Sequence, residues 1–298
     1  MGILKTITDE YFGETVREED MIDLTGLDVE IVSFTDNNKK YHKKGYKPKD
    51  AHSFENLLER MIKVRGDEGD FNDIDTSDIT SMKSLFENNK TFNGDITGWD
   101  VSKVTNMGDM FCGAKSFNQQ IGGWDVSKVK DMSGMFYNAH SFNQPIGNWN
   151  VSKVINMSGM FIATLFNQPI SDWDVSSVIY MNNMFNYATS FNQPIGNWNV
   201  SKVTNMYGMF EHAESFNQPI CNWKVSKVIT MSCMFNYAIS FNQPIGNWDV
   251  SSVKDMTYMF HYAKSFNQDL SEWNLTEKYI GDMFCGCPIK DEYKPKKK

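Results

Sequence analysis

A phenylalanine-asparagine pair recurs at Phe92, Phe117, Phe142, Phe166, Phe191, Phe216, Phe241 and Phe266, at a step of 25 residues that shortens to 24 once, between Phe142 and Phe166. All 8 tryptophans share one register of this repeat: Trp99, Trp124, Trp149, Trp173, Trp198, Trp223, Trp248 and Trp273. A Met-x-x-Met-Phe motif marks a second register. A unit of this length cannot bury its own apolar face, so the copies must stack and bury those faces against one another. The 298 residues are therefore counted in coils rather than in globular domains.

The copy that opens at Phe191 shows how one coil should be built. Trp198-Asn199-Val200 alternates apolar, polar, apolar, which predicts a short strand with Trp198 and Val200 turned inward and Asn199 outward. Stacked copies of that strand predict a parallel sheet on one face. Val203, Met206, Met209, Phe210 and Ala213 follow at i, i+3, i+6, i+7 and i+10, the spacing of one helical face, so the return side is expected to be a short helix or 3₁₀ turn. Ser201 and its equivalents stand at the join and read as helix caps. The methionines share the face of Phe210 and Ala213 and read as core filler. Asn192 and its equivalents sit in a turn buried between coils, where a repeated amide can bond the backbone of the neighbouring coil as a side-chain ladder.

Three segments follow from the period. Residues 1–70 do not repeat: Asp28 to Phe34 predicts a strand, Asn37 to Lys49 a charged loop, and Ser53 to Val64 an amphipathic helix with Ser53 as N-cap. Together they are expected to form an α/β cap over the apolar flank of the first coil. Residues 71–288 carry the repeats, imperfect at both ends as terminal copies are. The basic stretch 289–298 is expected to be a solvated, disordered tail.

The phrase from Phe191 through Ile220, FNQPIGNWNVSKVTNMYGMFEHAESFNQPI, resembles the BspA-like leucine-rich-repeat surface proteins, the mycoplasma lipoprotein-associated repeat family. Ile74 to Phe86, IDTSDITSMKSLF, is similar to the opening coil of that family, and the resemblance runs from about Phe71 to Pro288. It implies a right-handed leucine-rich-repeat-type solenoid. It also implies a surface or secreted protein engaged in adhesion and host interaction, and it brings no catalytic motif.

The formal charge of -8 argues against nucleic acid as a partner, because phosphates require a basic footprint. The opening stretch turns acidic at once and shows neither a signal peptide nor an apolar run long enough to span a membrane. On its own terms the chain is expected in the cytoplasm, and by the resemblance at the cell surface. The cysteines Cys112, Cys221, Cys233, Cys285 and Cys287 are odd in number and fall in different registers, so they read as reduced thiols. Cys285-x-Cys287 lacks the further soft ligands that a zinc site needs. No nucleophile and base stand at an informative spacing, and phosphate-loop and dinucleotide motifs are missing, so neither an enzyme nor a cofactor is expected.

Two rows remain as candidate binding faces. One is the residue after each tryptophan: Asp100, Asp125, Asn150, Asp174, Asn199, Lys224, Asp249 and Asn274. The other follows each Met-Phe, where Tyr137, Tyr187, Tyr237 and Tyr262 vary around a constant core. Repeat proteins bind through variable side chains on a regular surface. The sequence thus reads as a non-enzymatic scaffold that recognises a protein or glycan partner, with a self-associating structural module as the alternative.

Overall fold

The computed structural model describes residues 22–35, 42–276 and 278–295, and shows a stack of coils in which each copy of the repeat lies on the next. The order begins with β1 (Val29–Thr35), β2 (His42–Pro48) and α1 (Ala51–Arg65). β1 and β2 form an antiparallel pair with Val29 opposite Pro48. β2 occupies part of the stretch expected as a loop, of which residues 37–41 lie outside the described residues. The Tyr46 N–H donates to the Asp73 carbonyl and the Tyr46 carbonyl accepts from Asp75, so the hairpin joins the edge of the first coil.

α1 closes the flank. Its buried residues Phe54, Leu57, Leu58 and Met61 lie on one face, and the Phe54 ring meets Trp99 edge-on at 5.5 Å. The N-cap is Asp50, whose Oδ1 accepts the Ser53 N–H at 2.6 Å. Ser53, expected as the cap, is buried inside the first turn and turns its Oγ to accept the Asp28 N–H. Arg65, at the other end of α1, makes two 2.7 Å hydrogen bonds to the carboxylate of Asp73, which is buried at 4 % exposure.

In the coils the apolar registers lie where the period puts them. Trp198, Val200, Val203, Met206, Met209, Phe210, Ala213 and Phe216 are all buried and Asn199 is exposed. The path between them is neither strand nor helix. Instead, tight turns follow one another along it, each closed between two apolar residues: Val203 N–H donates to the Val200 carbonyl, Met209 to Met206, Ala213 to Phe210 and Phe216 to Ala213. The three-residue spacing that suggested a helix is the spacing of consecutive turns.

A helix is barred by the backbone. Every copy has two residues with positive φ, one just before the Met-Phe pair and one two residues after the phenylalanine. In the copy of Phe191 these are Gly208 (φ 57) and His212 (φ 54). This zigzag turns every second N–H towards the next coil: Met206, Gly208, Phe210 and His212 donate to the carbonyls of Thr230, Ser232, Met234 and Asn236. The inter-coil backbone ladder therefore runs through this segment, as single parallel bridges such as Asn205 to Thr230, rather than through Trp-x-Val.

At Trp-x-Val the coils are joined by side chains. The indole N–H of Trp198 donates to the Ile170 carbonyl at 3.1 Å, and Trp149, Trp173, Trp223 and Trp248 repeat the bond. Trp124 Nε1 is buried without a partner among the described residues, and nothing in the structure explains the exception. The asparagine ladder is continuous: Asn192 N–H donates to Asn167 Oδ1, and Asn192 Oδ1 accepts from Asn217. Phenylalanine rings stack along the core, at 5.7 Å from Phe185 to Phe210 and again from Phe210 to Phe235.

The short coil keeps this register because a hydroxyl stands in for backbone. Where Ala139 donates to Phe136 and accepts from Phe142, Thr164 Oγ1 donates to the Phe161 carbonyl and accepts the Phe166 N–H. The bridges pass through it, from Asn156 to Tyr180 and on to Asn205. The end of the chain is not a free tail as far as residue 295. Ile289 is buried, residues Asp291–Tyr293 form a 3₁₀ turn, and the Tyr293 carbonyl accepts the Leu270 N–H, because the last coil has apolar surface left to cover. Residues 296–298 lie outside the described residues.

Candidate functional site

All eight residues of the row after tryptophan are exposed, as the alternation requires. Their side chains are occupied, however, in a local turn. Oδ1 of Asp100, Asp125, Asn150, Asp174, Asn199, Asp249 and Asn274 accepts the backbone N–H two residues on, at 2.9 to 3.2 Å. Aspartate and asparagine are equivalent in this task, which accounts for their exchange along the row. The serines expected as caps supply the N–H instead. At Asp125, Asp174 and Asp249 the serine two residues on holds the carboxyl below the ordinary carboxylate range, through its side chain and its N–H. Lys224 cannot accept, and it borders a shallow open groove of about 430 Å³ with Asn199, Asn197 and Asn222. The row does not make an unbroken acidic stripe.

The other face is organised differently. Of the tyrosines chosen from the sequence, Tyr187, Tyr237 and Tyr262 stand two residues after their phenylalanine, whereas Tyr137 directly follows Phe136 and belongs to the adjacent row. His212 holds the corresponding place in the coil between Tyr187 and Tyr237. The four rings form one stack: Tyr187 to His212 at 4.2 Å and 11°, His212 to Tyr237 at 4.5 Å and 7°, Tyr237 to Tyr262 at 4.9 Å and 13°. These spacings are tighter than those of the phenylalanine column in the core. Lys264 Nζ lies 4.4 Å from the centre of the Tyr262 ring. The following coil has Gly286 there, where a Cβ would come within 2.8 Å of the Tyr262 ring.

All four rungs have left-handed backbone, with φ between 53° and 55°. Elsewhere in this position stand Asn88, Gly113, Asn138, Ala163 and Gly286. A bulky side chain at positive φ costs on the order of 1–3 kcal/mol, so four successive aromatic rings here are an outlier that the ring stacking only partly offsets.

The adjacent row backs the ladder with hydrogen bonds between coils. Glu211 accepts from Asn186 Nδ2 at 2.9 Å and from Asn236 Nδ2 at 2.7 Å, and Asn236 Oδ1 lies 3.0 Å from His261 Nδ1. His212 escapes a row drawn from the tyrosines alone. Aligning the second residue after each Met-Phe, whatever its type, would have shown Tyr, His, Tyr, Tyr in unbroken order.

All five cysteines are unpaired, and no group of three or more His, Cys, Asp or Glu side chains that could hold a metal occurs among the described residues. No helix among the described residues is long and apolar enough to cross a membrane. A family described as Mycoplasma protein of unknown function, DUF285, matches three overlapping stretches of the chain, residues 53–165, 146–232 and 202–292. The chain belongs to this family. No curated protein and no solved structure matches it. The DUF285 match opens within α1, so it takes in most of that helix together with the coils. The row after tryptophan and the aromatic ladder both lie wholly inside the DUF285 stretches.

Proposed function

We propose that the chain is a non-enzymatic binding scaffold: a right-handed solenoid of the leucine-rich-repeat type over residues 71–288, capped by β1, β2 and α1, with the stack of Tyr187, His212, Tyr237 and Tyr262 as the centre of its ligand face. The supporting observation is that four consecutive coils hold aromatic side chains in left-handed backbone where neighbouring coils use Gly, Asn or Ala. Strain of this kind collects at functional positions. Tyrosine and histidine also present a broad apolar body with a polar tip, the chemistry of protein and glycan recognition surfaces. The resemblance to BspA-like surface proteins gives this face a role in adhesion to a host-cell surface.

The row after tryptophan is the weaker face on this reading, since its side chains are committed to turns. The test is binding of the purified chain to arrays of immobilised peptides and glycans, repeated with Tyr237→Ser. A specific ligand lost in the variant is expected. An unliganded parent chain, or a signal indifferent to the substitution, would overturn the reading.

A second reading, self-association, rests on one observation. In the last coil the N–H groups of Ile280, Asp282, Phe284 and Gly286, which match the donors of every earlier coil, have no acceptor among the described residues. An open edge of this sort can pair with another chain.

A further inference from the structure

We infer that the exposed ring face of Tyr187 is a subsite for a planar cation, the guanidinium of an arginine side chain carried by a partner. The inference rests on the reading of the ladder as the ligand face and names what its open end takes. The ladder has two ends, and one is already closed. Tyr262 stacks on Tyr237 at 4.9 Å, Gly286 of the following coil packs against the Tyr262 ring, and Lys264 Nζ lies 4.4 Å from the centre of that ring. The protein thus closes one end of the ladder with backbone and a cation of its own.

The other terminal face belongs to Tyr187, the most exposed ring of the row at 51 %. The preceding coil offers only Ala163 in the ladder position, and the coil before that offers Asn138. Tyr187 and Asn138 are therefore two coil steps apart, roughly 10 Å, with the methyl of Ala163 as the floor between them. That separation leaves room for one flat group laid on the Tyr187 ring at a contact distance of about 3.5–4 Å. Guanidinium is flat, stacks on aromatic faces and is weakly hydrated, whereas ammonium is compact and strongly hydrated. The formal charge of -8 favours the approach of a basic partner.

The experiment uses the whole chain and three short peptides that differ at one central residue, arginine, citrulline or phenylalanine, with ring and methyl resonances followed by NMR. The arginine peptide is expected to shift Tyr187 and Ala163 saturably, and about two- to five-fold more tightly than its neutral citrulline isostere. Ala163→Tyr adds a rung and should abolish the response, as should Tyr187→Ser. The indole N–H resonances of the buried tryptophans report that each variant is folded. Equal binding of citrulline, tighter binding of phenylalanine, or an unchanged response in folded Ala163→Tyr would each overturn the inference. Shifts confined to Tyr237 and Tyr262 would sink the end site and leave the ladder standing as the ligand face. Silence of every ladder resonance sinks the end site too, and the array measurement then decides the ladder separately.

Discussion

Asp100, Asp125, Asn150, Asp174, Asn199, Asp249 and Asn274 each accept the N–H two residues on, and Lys224 alone in the row has no oxygen to offer. Lys224→Asn should therefore gain a turn bond and stabilise the chain by about 0.5–1.5 kcal/mol, read as a higher midpoint of thermal unfolding. An unchanged or lower midpoint would show that the turn does not depend on the side chain. The same position shows what a sequence can and cannot disclose. Alternation around Trp198 and Val200 was enough to place Asn199 outside, because burial is a matter of period. The task of Asn199 was not legible, because an Asx turn and a solvated polar face leave the same letters. His212 was obscured for the opposite reason: its neighbours in space are 25 residues away on either side and of a different type.

At the scale of elements, the hairpin and α1 are tied to the first coils by charge as well as by packing. Asp78 accepts from Lys47 of β2 at 2.8 Å and from Lys103 of the next coil at 2.7 Å, and these two lysines hold its carboxyl down to about 2. A carboxyl with a lowered folded value adds stability that is complete above its ordinary value of 3.8 and disappears as the pH falls towards about 2. Thermal unfolding followed between pH 5 and pH 2 should show this loss. Asp78→Asn should flatten the slope in that window, and added salt should do so in part because the group is exposed. A variant with the parent's slope would mean that the Asp78 carboxylate contributes nothing to holding the cap. The expected helix on the return side failed for a physical reason that the spacing of Met206, Met209, Phe210 and Ala213 could not reveal. Consecutive tight turns and an α-helix both recur near three residues, and the positive φ at residues such as His212 decides between them.

For the whole molecule, the same bonds recur from coil to coil: the asparagine ladder, the indole bond at the tryptophans other than Trp124, and the alternate N–H groups of the Met-Phe segment up to the last coil. Deleting residues 191–215, one complete period, should leave a folded chain with a lower midpoint, because Phe216 can take the place of Phe191 in every bond. Deleting residues 191–202 should abolish cooperative unfolding, because it sets indole against turn and breaks each ladder. Equal behaviour of the two deletions would speak against a stack of equivalent coils. Regularity is also what makes the aromatic ladder conspicuous, since four rings depart from the pattern on a surface that otherwise tolerates Gly, Asn and Ala. The most direct test of the ladder as ligand face is to titrate a ligand found on the arrays into two triple variants. One carries Tyr187→Ser, His212→Ser and Tyr237→Ser, and the other Asp100→Asn, Asp125→Asn and Asp174→Asn, which keeps every turn. Affinity should be lost in the first and kept in the second. Affinity kept in the first and lost in the second would contradict the account and move the ligand face to the row after tryptophan.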